Sequence, residues 1–159
     1  MSLWFILLSS ASVIAYAAVG GVLLAFSDFL MRSFDRIRDR GGIEVMQVIN
    51  VEILRSVFMV LSMAMVPVSA IILVHAAFHG DGLPRILLML AGGAYLIGVV
   101  AVTGIGNVPL NNRLAALEAS AAAPFWKETY MTTWVALNGL RTVACMLASG
   151  LTLAALIIR

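Results

Sequence analysis

Two groups of amide side chains lie where neighbouring apolar runs of this sequence meet. The first is in Gly106-Asn107-Val108-Pro109-Leu110-Asn111-Asn112-Arg113, and the second is formed by Trp134, Asn138 and Arg141 just inside the next run. Residues at i, i+4 and i+7 share one face of a helix. Carboxamides and a guanidinium are costly in lipid unless they meet each other or a polar cavity. We therefore predict that Asn107, Asn138 and Arg141 converge at one end of a helix bundle.

These side chains suit the binding of an anion, but each has a simpler explanation. The five N–H donors of Arg141 could hold a developing oxyanion together with neighbouring amides. The same arginine could instead snorkel to the interface beside an interfacial tryptophan, and the sequence leaves both explanations open. Asn111 could N-cap the next helix, and Asn107 lies just before Val-Pro, where a helix tends to end. Gln47 and Asn50 share a helix face before the second run, where each could be a solvated loop residue.

The composition places this chain in a membrane. Its 159 residues are 62% hydrophobic and only 11% charged, against roughly 45–50% and ~25% in soluble domains. The length indicates one integral membrane domain, residues 1–159. The net charge of +2 gives no reason to expect nucleic acid, because the basic residues flank apolar runs. The single cysteine, Cys145, excludes paired-thiol redox enzymes.

Four apolar runs are each long enough for the ~20 residues that cross a bilayer. They predict an all-α, four-helix transmembrane bundle, with a short amphipathic helical cap from the first and third loops; the spans are 3–31, 52–78, 85–108 and 133–158. We expect the second helix to begin near Ile43, outside the membrane, and to continue into it. Eight of the ten Lys and Arg residues lie on the side of the two long loops. This asymmetry predicts cytoplasmic loops and outside termini, in a bacterial inner membrane.

Small residues predict where the helices approach each other. Ala17 and Gly21, with Gly20 beside them, and Ala94 with Gly98 have the small-xxx-small spacing of closely packed membrane helices. They predict a compact bundle and carry no chemistry.

A metal site is not expected. His75 and His79 have the i, i+4 spacing of chelating histidines, but only Asp81 lies nearby as a third ligand. We predict neither a bound metal nor a cofactor. The nine methionines are typical of flexible packing rather than of a copper site.

Four elements, taken in order, resemble a known family. They are Phe26-Ser27-Asp28-Phe29, Met46-Gln47-Val48-Ile49-Asn50, Gly106-Asn107-Val108-Pro109-Leu110-Asn111 and Trp134-x-x-x-Asn138-x-x-Arg141-Thr142. Across nearly the whole chain they resemble the anthrone-oxygenase-like family of small four-helix membrane proteins. A few fungal members are associated with oxidation of anthrones to anthraquinones, and most bacterial members have no known function. The resemblance implies catalytic roles for Arg141, Asn138 and Asn107, and substrate contacts for Trp134, Asn111, Gln47 and Asn50.

Two functions from different classes follow. The first is a cofactor-free oxygenase that binds a flat hydrophobic aromatic molecule near the cytoplasmic interface, with Trp134 stacked on the ring. Its proton acceptor is not evident, since Asp28 most simply pairs with Arg32 at i+4. The second is a non-catalytic lipid-binding protein or accessory membrane subunit. The expected partners are membrane lipids, a small aromatic molecule, and a second copy or a larger membrane complex.

Overall fold

The predicted all-helical bundle is confirmed. The computed structural model describes residues 1–38 and 40–159, in which all regular structure is helical. Four helices are long and apolar enough to cross a membrane. Helix α1 comprises Leu3–Ala25, Phe26–Leu30 and Met31–Asp35; α2 is Gly41–Glu52; α3 is Val57–His79. Helix α4 comprises Gly82–Tyr95, Leu96–Ala101, Thr103–Asn107 and Val108–Ala116, and α5 comprises Ala119–Phe125, Trp126–Trp134 and Val135–Ile157.

Three of the long helices contain wide turns with the i→i+5 hydrogen bonds of a π-helix. These turns are Phe26–Leu30 in α1, Leu96–Ala101 and Thr103–Asn107 in α4, and Trp126–Trp134 in α5. The helix expected to end before Pro109 instead continues through it to Ala116. Pro109 is the second residue after a wide turn, so its missing N–H falls where the regular hydrogen-bond ladder is already interrupted.

The approach to the second span differs from the expected continuous helix. Helix α2 ends at Glu52, a single 3₁₀ turn covers Ile53–Arg55, and Ser56 is extended with φ −92° and ψ 156°. The Ser56 hydroxyl accepts a hydrogen bond from the backbone N–H of Met59 at 3.2 Å. Serine is among the best N-cap residues, so the chain restarts as a new helix at this point.

The predicted cap from the first and third loops is confirmed. Helix α2 packs its apolar face against the ends of α1, α4 and α5. The Arg113 guanidinium also lies 4.5 Å from the centre of the Phe125 ring, which joins α4 to α5. The buried core of this cap consists of Met31, Ile43, Met46, Leu114, Ala122, Phe125, Trp126, Tyr130 and Trp134.

Glycines set the closest approaches within the membrane-crossing part. A Cβ atom at Gly20 would lie 2.9 Å from the Cβ of Cys145 on α5, and one at Gly98 would lie 2.5 Å from the Cβ of Ala144. These contacts agree with the expected small-residue packing, whereas Gly21 has no neighbour within 4 Å. The tightest contact with a backbone oxygen in this part is at Gly92, where a Cβ would lie 2.6 Å from the carbonyl oxygen of Ser69 on α3.

The two adjacent glycines of α4 give a matched test of this packing. We expect Gly92→Ala to lower the free energy of unfolding by about 1–3 kcal/mol, because a backbone carbonyl cannot move aside for the methyl group. At Gly93 the nearest atom is 4.0 Å away. Gly93→Ala should therefore be neutral or stabilising by up to about 1 kcal/mol through helix propensity. Thermal unfolding in detergent measures both, and equal melting temperatures for the two variants would contradict the packing.

Sidedness remains a prediction and can be measured by cysteine labelling. In a Cys145→Ala background, Asp81→Cys marks the short α3–α4 turn and Lys127→Cys marks the cap; both positions are exposed. We expect a membrane-impermeant maleimide to label the first variant on intact cells, and the second only after permeabilisation. The reverse pattern would show that the loops lie outside and the termini inside.

Candidate functional site

A cavity of about 330 Å³ lies among the helices at the end of the bundle next to the cap. Helices α1, α2, α4 and α5, with the start of α3, contribute its walls. Most of the wall is apolar, and the polar groups are amides, a hydroxyl, an indole and one guanidinium. The polar residues that line it are Asn50, Thr103, Asn107, Asn111, Asn112, Trp134, Asn138 and Arg141.

Among the described residues that line this cavity, Arg141 is the one that carries a charge, and it is only 9% exposed. Its Nη1 donates a long hydrogen bond of 3.4 Å to Oδ1 of Asn138, while its buried Nε has no partner. Within the described parts of the chain the one salt bridge joins Asp28 and Arg32, so no carboxylate neutralises Arg141. An unpaired charge is expensive to bury. The arrangement leaves donors available to an acceptor in the cavity.

Asn138 orients this guanidinium. It is fully buried, and its Nδ2 donates to the carbonyl oxygen of Leu23 and to the hydroxyl of Ser27, both at 2.7 Å. Using both amide hydrogens in this way leaves Oδ1 as the acceptor that faces Arg141. Ser27 lies in the wide turn of α1. The amide is therefore fixed from a neighbouring helix.

Asn107 brings an acceptor to the same cavity. It ends the wide turn Thr103–Asn107, is 1% exposed, and donates from Nδ2 to the carbonyl oxygen of Trp134 at 3.2 Å. Its Oδ1 is buried without a hydrogen-bond partner. Native proteins rarely leave such an atom unpaired unless an ordered water or a ligand serves as its partner. Asn107, Asn138 and Arg141 thus share one cavity wall, as their sequence positions suggested.

Asn111 is not a helix cap, contrary to one of the alternatives above. It lies inside the segment Val108–Ala116, and its Oδ1 accepts two hydrogen bonds. One comes from the Tyr130 hydroxyl at 2.8 Å and the other from Nε1 of Trp134 at 2.7 Å. The wide turn of α5 brings both aromatic residues to the side of α5 that faces Asn111. The Asn111 amide oxygen therefore accepts hydrogen bonds from a neighbouring helix instead of capping its own. It fixes the Trp134 ring at the cavity wall.

The two amides of α2 have different surroundings. Gln47 does not line the cavity; its Nε2 donates to the carbonyl oxygen of Leu114 at 2.9 Å and holds α2 against α4. Asn50 does line the cavity, and its buried Nδ2 has no hydrogen-bond partner. Of this pair, only Asn50 can reach a molecule in the cavity.

The remaining candidate residues lie elsewhere. Asp28 forms the expected surface pair with Arg32, with 3.0 Å between Oδ1 and Nη2, and does not line the cavity. His75 stacks on Phe5 with 3.8 Å between ring centres, at the opposite end of the bundle. The described residues include no group of three or more His, Cys, Asp or Glu placed to hold a metal ion.

Sequence reasoning missed three residues around the site. Ser27 supports Asn138, Thr103 lines the cavity, and Tyr130 binds Asn111. Ser27 lies in one of the four family-like elements, but hydroxyls are common in membrane helices and neither Ser27 nor Thr103 was singled out. The spacing of Trp126, Tyr130 and Trp134 at i, i+4 and i+8 is an aromatic stripe that could have indicated Tyr130.

Comparison with known protein families covers most of the cavity residues described above. A sequence model of the anthrone oxygenase family matches residues 53–151, more than half of the chain. The matched region includes Asn107, Asn111, Trp134, Asn138 and Arg141, while Ser27 and α2 lie outside it. No curated protein and no solved structure gives a significant match. The chain is an all-helical membrane protein that belongs to the anthrone oxygenase family.

Proposed function

We propose that this protein is a cofactor-free oxygenase that oxidises a flat, hydrophobic aromatic substrate of the anthrone type to the corresponding ketone. The observation that carries the proposal is the buried Arg141 guanidinium, which faces a cavity without a carboxylate partner among the described residues. A site of this kind favours a ligand that becomes an anion. Family membership supports the same chemistry.

The apolar walls indicate how such a substrate would be held. Its rings would lie among Phe26, Met46 and Phe58, with the fixed Trp134 indole against one face or edge. Exposed apolar side chains at Val51 and Leu54 line the same cavity, so a molecule dissolved in the membrane could reach it without crossing water. The substrate oxygen would accept from Arg141, the unpartnered Nε included, and a substrate hydroxyl could donate to Oδ1 of Asn107.

The reaction then needs little besides stabilisation of the enolate. The substrate CH₂ group loses a proton, and the carbanion form transfers one electron to O₂. The resulting radical pair combines into a peroxide, which eliminates water and leaves the ketone, so that one CH₂ and one O₂ give one C=O and one H₂O. No carboxylate or imidazole is among the residues that line the described cavity. The proton would therefore leave to water, and Arg141 would act by making the anion more stable.

One observation favours a second function. A buried guanidinium near the end of the bundle could also hold the phosphate of a lipid whose chains fill the apolar part of the cavity. The protein would then be a non-catalytic lipid-binding module or an accessory subunit. Native mass spectrometry after mild extraction distinguishes the two proposals. A stoichiometric phospholipid that is lost on Arg141→Gln, together with no oxygen uptake, would support the second.

The central test is oxygen uptake by purified protein with anthrone as the probe substrate. We expect Arg141→Gln to lower kcat by about 10²–10³-fold, as for loss of an oxyanion donor. Arg141→Lys should recover only part of this, because lysine keeps the charge and loses the planar fork. Arg32→Gln, which removes a surface arginine, is the matched control and should leave the rate unchanged.

The thermal stability of the same variants separates a functional arginine from a structural one. Removing a buried charge that lacks a carboxylate partner should leave the melting temperature unchanged or raise it. A lower melting temperature with unchanged oxygen uptake would show that Arg141 only supports the fold.

A further inference from the structure

Three aromatic rings form a stack that runs from the cavity through the core of the cap to Trp126, which is 3% exposed and lines a groove shared with the exposed Asp35. The ring centres of Trp134 and Tyr130 are 6.1 Å apart at an interplanar angle of 19°, and those of Tyr130 and Trp126 are 5.3 Å apart at 15°. In an α-helix, side chains four residues apart drift by about 40° around the axis. The wide turn Trp126–Trp134 has more residues per turn and reduces this drift, so the rings lie nearly parallel.

The polar atoms of the three rings have different hydrogen-bond partners. The Trp134 N–H and the Tyr130 O–H both donate to the amide oxygen of Asn111. The Trp126 N–H donates instead to Oδ1 of Asp35 at 2.8 Å. Asp35 is an exposed residue at the end of α1. Only the outermost ring therefore has a base as its partner.

We propose that this stack carries oxidising equivalents, one electron at a time, from the cavity to the surface of the cap, with Trp126 and Asp35 as the exit. The proposal rests on the proposed function for its source of oxidant, because homolysis of the O–O bond in the peroxide intermediate gives strongly oxidising oxygen-centred radicals beside Trp134. Its role would be to protect the cavity wall from damage when the peroxide breaks in this way instead of eliminating water.

The electron and proton balance can be stated for each step. An oxygen-centred radical in the cavity takes one electron from Trp134 and one proton from water and becomes a hydroxyl group or water, leaving the Trp134 indole as a radical cation. An electron moves from Trp126 through the stacked Tyr130 ring and restores Trp134. The Trp126 N–H proton passes to Asp35, which leaves a neutral indolyl radical. A soluble one-electron donor, such as a thiol or ascorbate, then reduces this radical, and the proton returns from Asp35.

The hydrogen-bond partners also give the transfer its direction. Oxidation makes an indole or phenol strongly acidic, so the oxidised ring is stabilised where a base can accept its proton. The Asn111 amide oxygen is too weak a base for this task, whereas the Asp35 carboxylate is suited to it. The radical should therefore collect on Trp126 rather than on Trp134 or Tyr130, and Tyr130 serves as a bridge.

The experiment needs neither substrate nor turnover, so its result is independent of whether the proposed oxygenase activity exists. A ruthenium polypyridyl photosensitiser is attached at Leu54→Cys, an exposed position that also lines the cavity. The background carries Cys145→Ala and Trp4→Phe, which remove the native thiol and the one tryptophan outside the stack. Flash excitation with an external quencher produces the oxidant, transient absorption reports the radical, and peptide mass spectrometry locates the oxidised residues.

We expect a neutral indolyl radical and oxidation products mainly on Trp126. Asp35→Asn keeps a hydrogen-bond acceptor for the indole but removes the base. In that variant the ratio of oxidation at Trp126 to that at Trp134 should fall several-fold, with a radical cation in place of the neutral radical. Tyr130→Phe keeps the aromatic ring and removes only the hydroxyl. As the control, this variant should transfer electrons as the unmodified stack does.

Two outcomes would overturn the proposal. One is an Asp35→Asn variant whose radical and product distribution equals that of the parent protein. The other is oxidation confined to Trp134 in the parent protein itself. Asparagine keeps an acceptor oxygen for the Trp126 N–H. The melting temperatures of the parent protein and of Asp35→Asn are measured as well, and equal values show that the comparison is made between equally folded proteins.

Discussion

Arg141 is a positive charge buried in an apolar bundle with no carboxylate partner among the described residues, and much of the surrounding structure can be understood from this constraint. The hydrogen bond from Arg141 to Asn138 is long, so the Asn138 amide can orient the guanidinium only if the amide is itself held in place. Leu23 and Ser27 hold it from the neighbouring helix α1. Such cross-helix hydrogen bonds contribute about 1 kcal/mol each in membranes, less than the charge costs to bury. The remainder of the stability must come from close helix packing, to which Gly20, Gly92 and Gly98 contribute.

The wide turns explain how ordinary helices surround a cavity here. Each of α1, α4 and α5 has such a turn at this end of the bundle, and these turns bring Ser27, Thr103 with Asn107, and Tyr130 with Trp134 to the site. π-Helical turns are rare and are frequently found at functional sites. Their concentration here, beside three buried polar atoms without partners, distinguishes the cavity from a simple packing defect.

The sequence was sufficient for what depends on composition and periodicity. The four spans, the cap, the Asp28–Arg32 pair and the close approaches at Gly20 and Gly98 were all predictable. The shared wall of Asn107, Asn138 and Arg141 followed from matched depth in antiparallel neighbours. The separate start of α3 at Ser56, the passage of α4 through Pro109 and the Tyr130–Asn111 bond were not predictable. They depend on hydrogen bonds between residues far apart, or on turns that leave no periodic signal. For the same reason the sequence could not show that Gln47 holds the cap whereas Asn50 faces the cavity.

The wide turn Thr103–Asn107 has a consequence for how this chain can vary. An i→i+5 turn contains one residue more than the α-helical turn it replaces, and one residue corresponds to about 100° of rotation around a helix. The wide turn absorbs this extra residue, so the membrane half of α4 and its cap half face as they would in a continuous α-helix with one residue fewer. Deleting one residue in this turn would let it close to an α-helical turn and leave Leu114 and the rest of the cap half facing nearly the same way. The same deletion in a regular stretch of α4 would instead rotate the cap half by about 100° against the cavity.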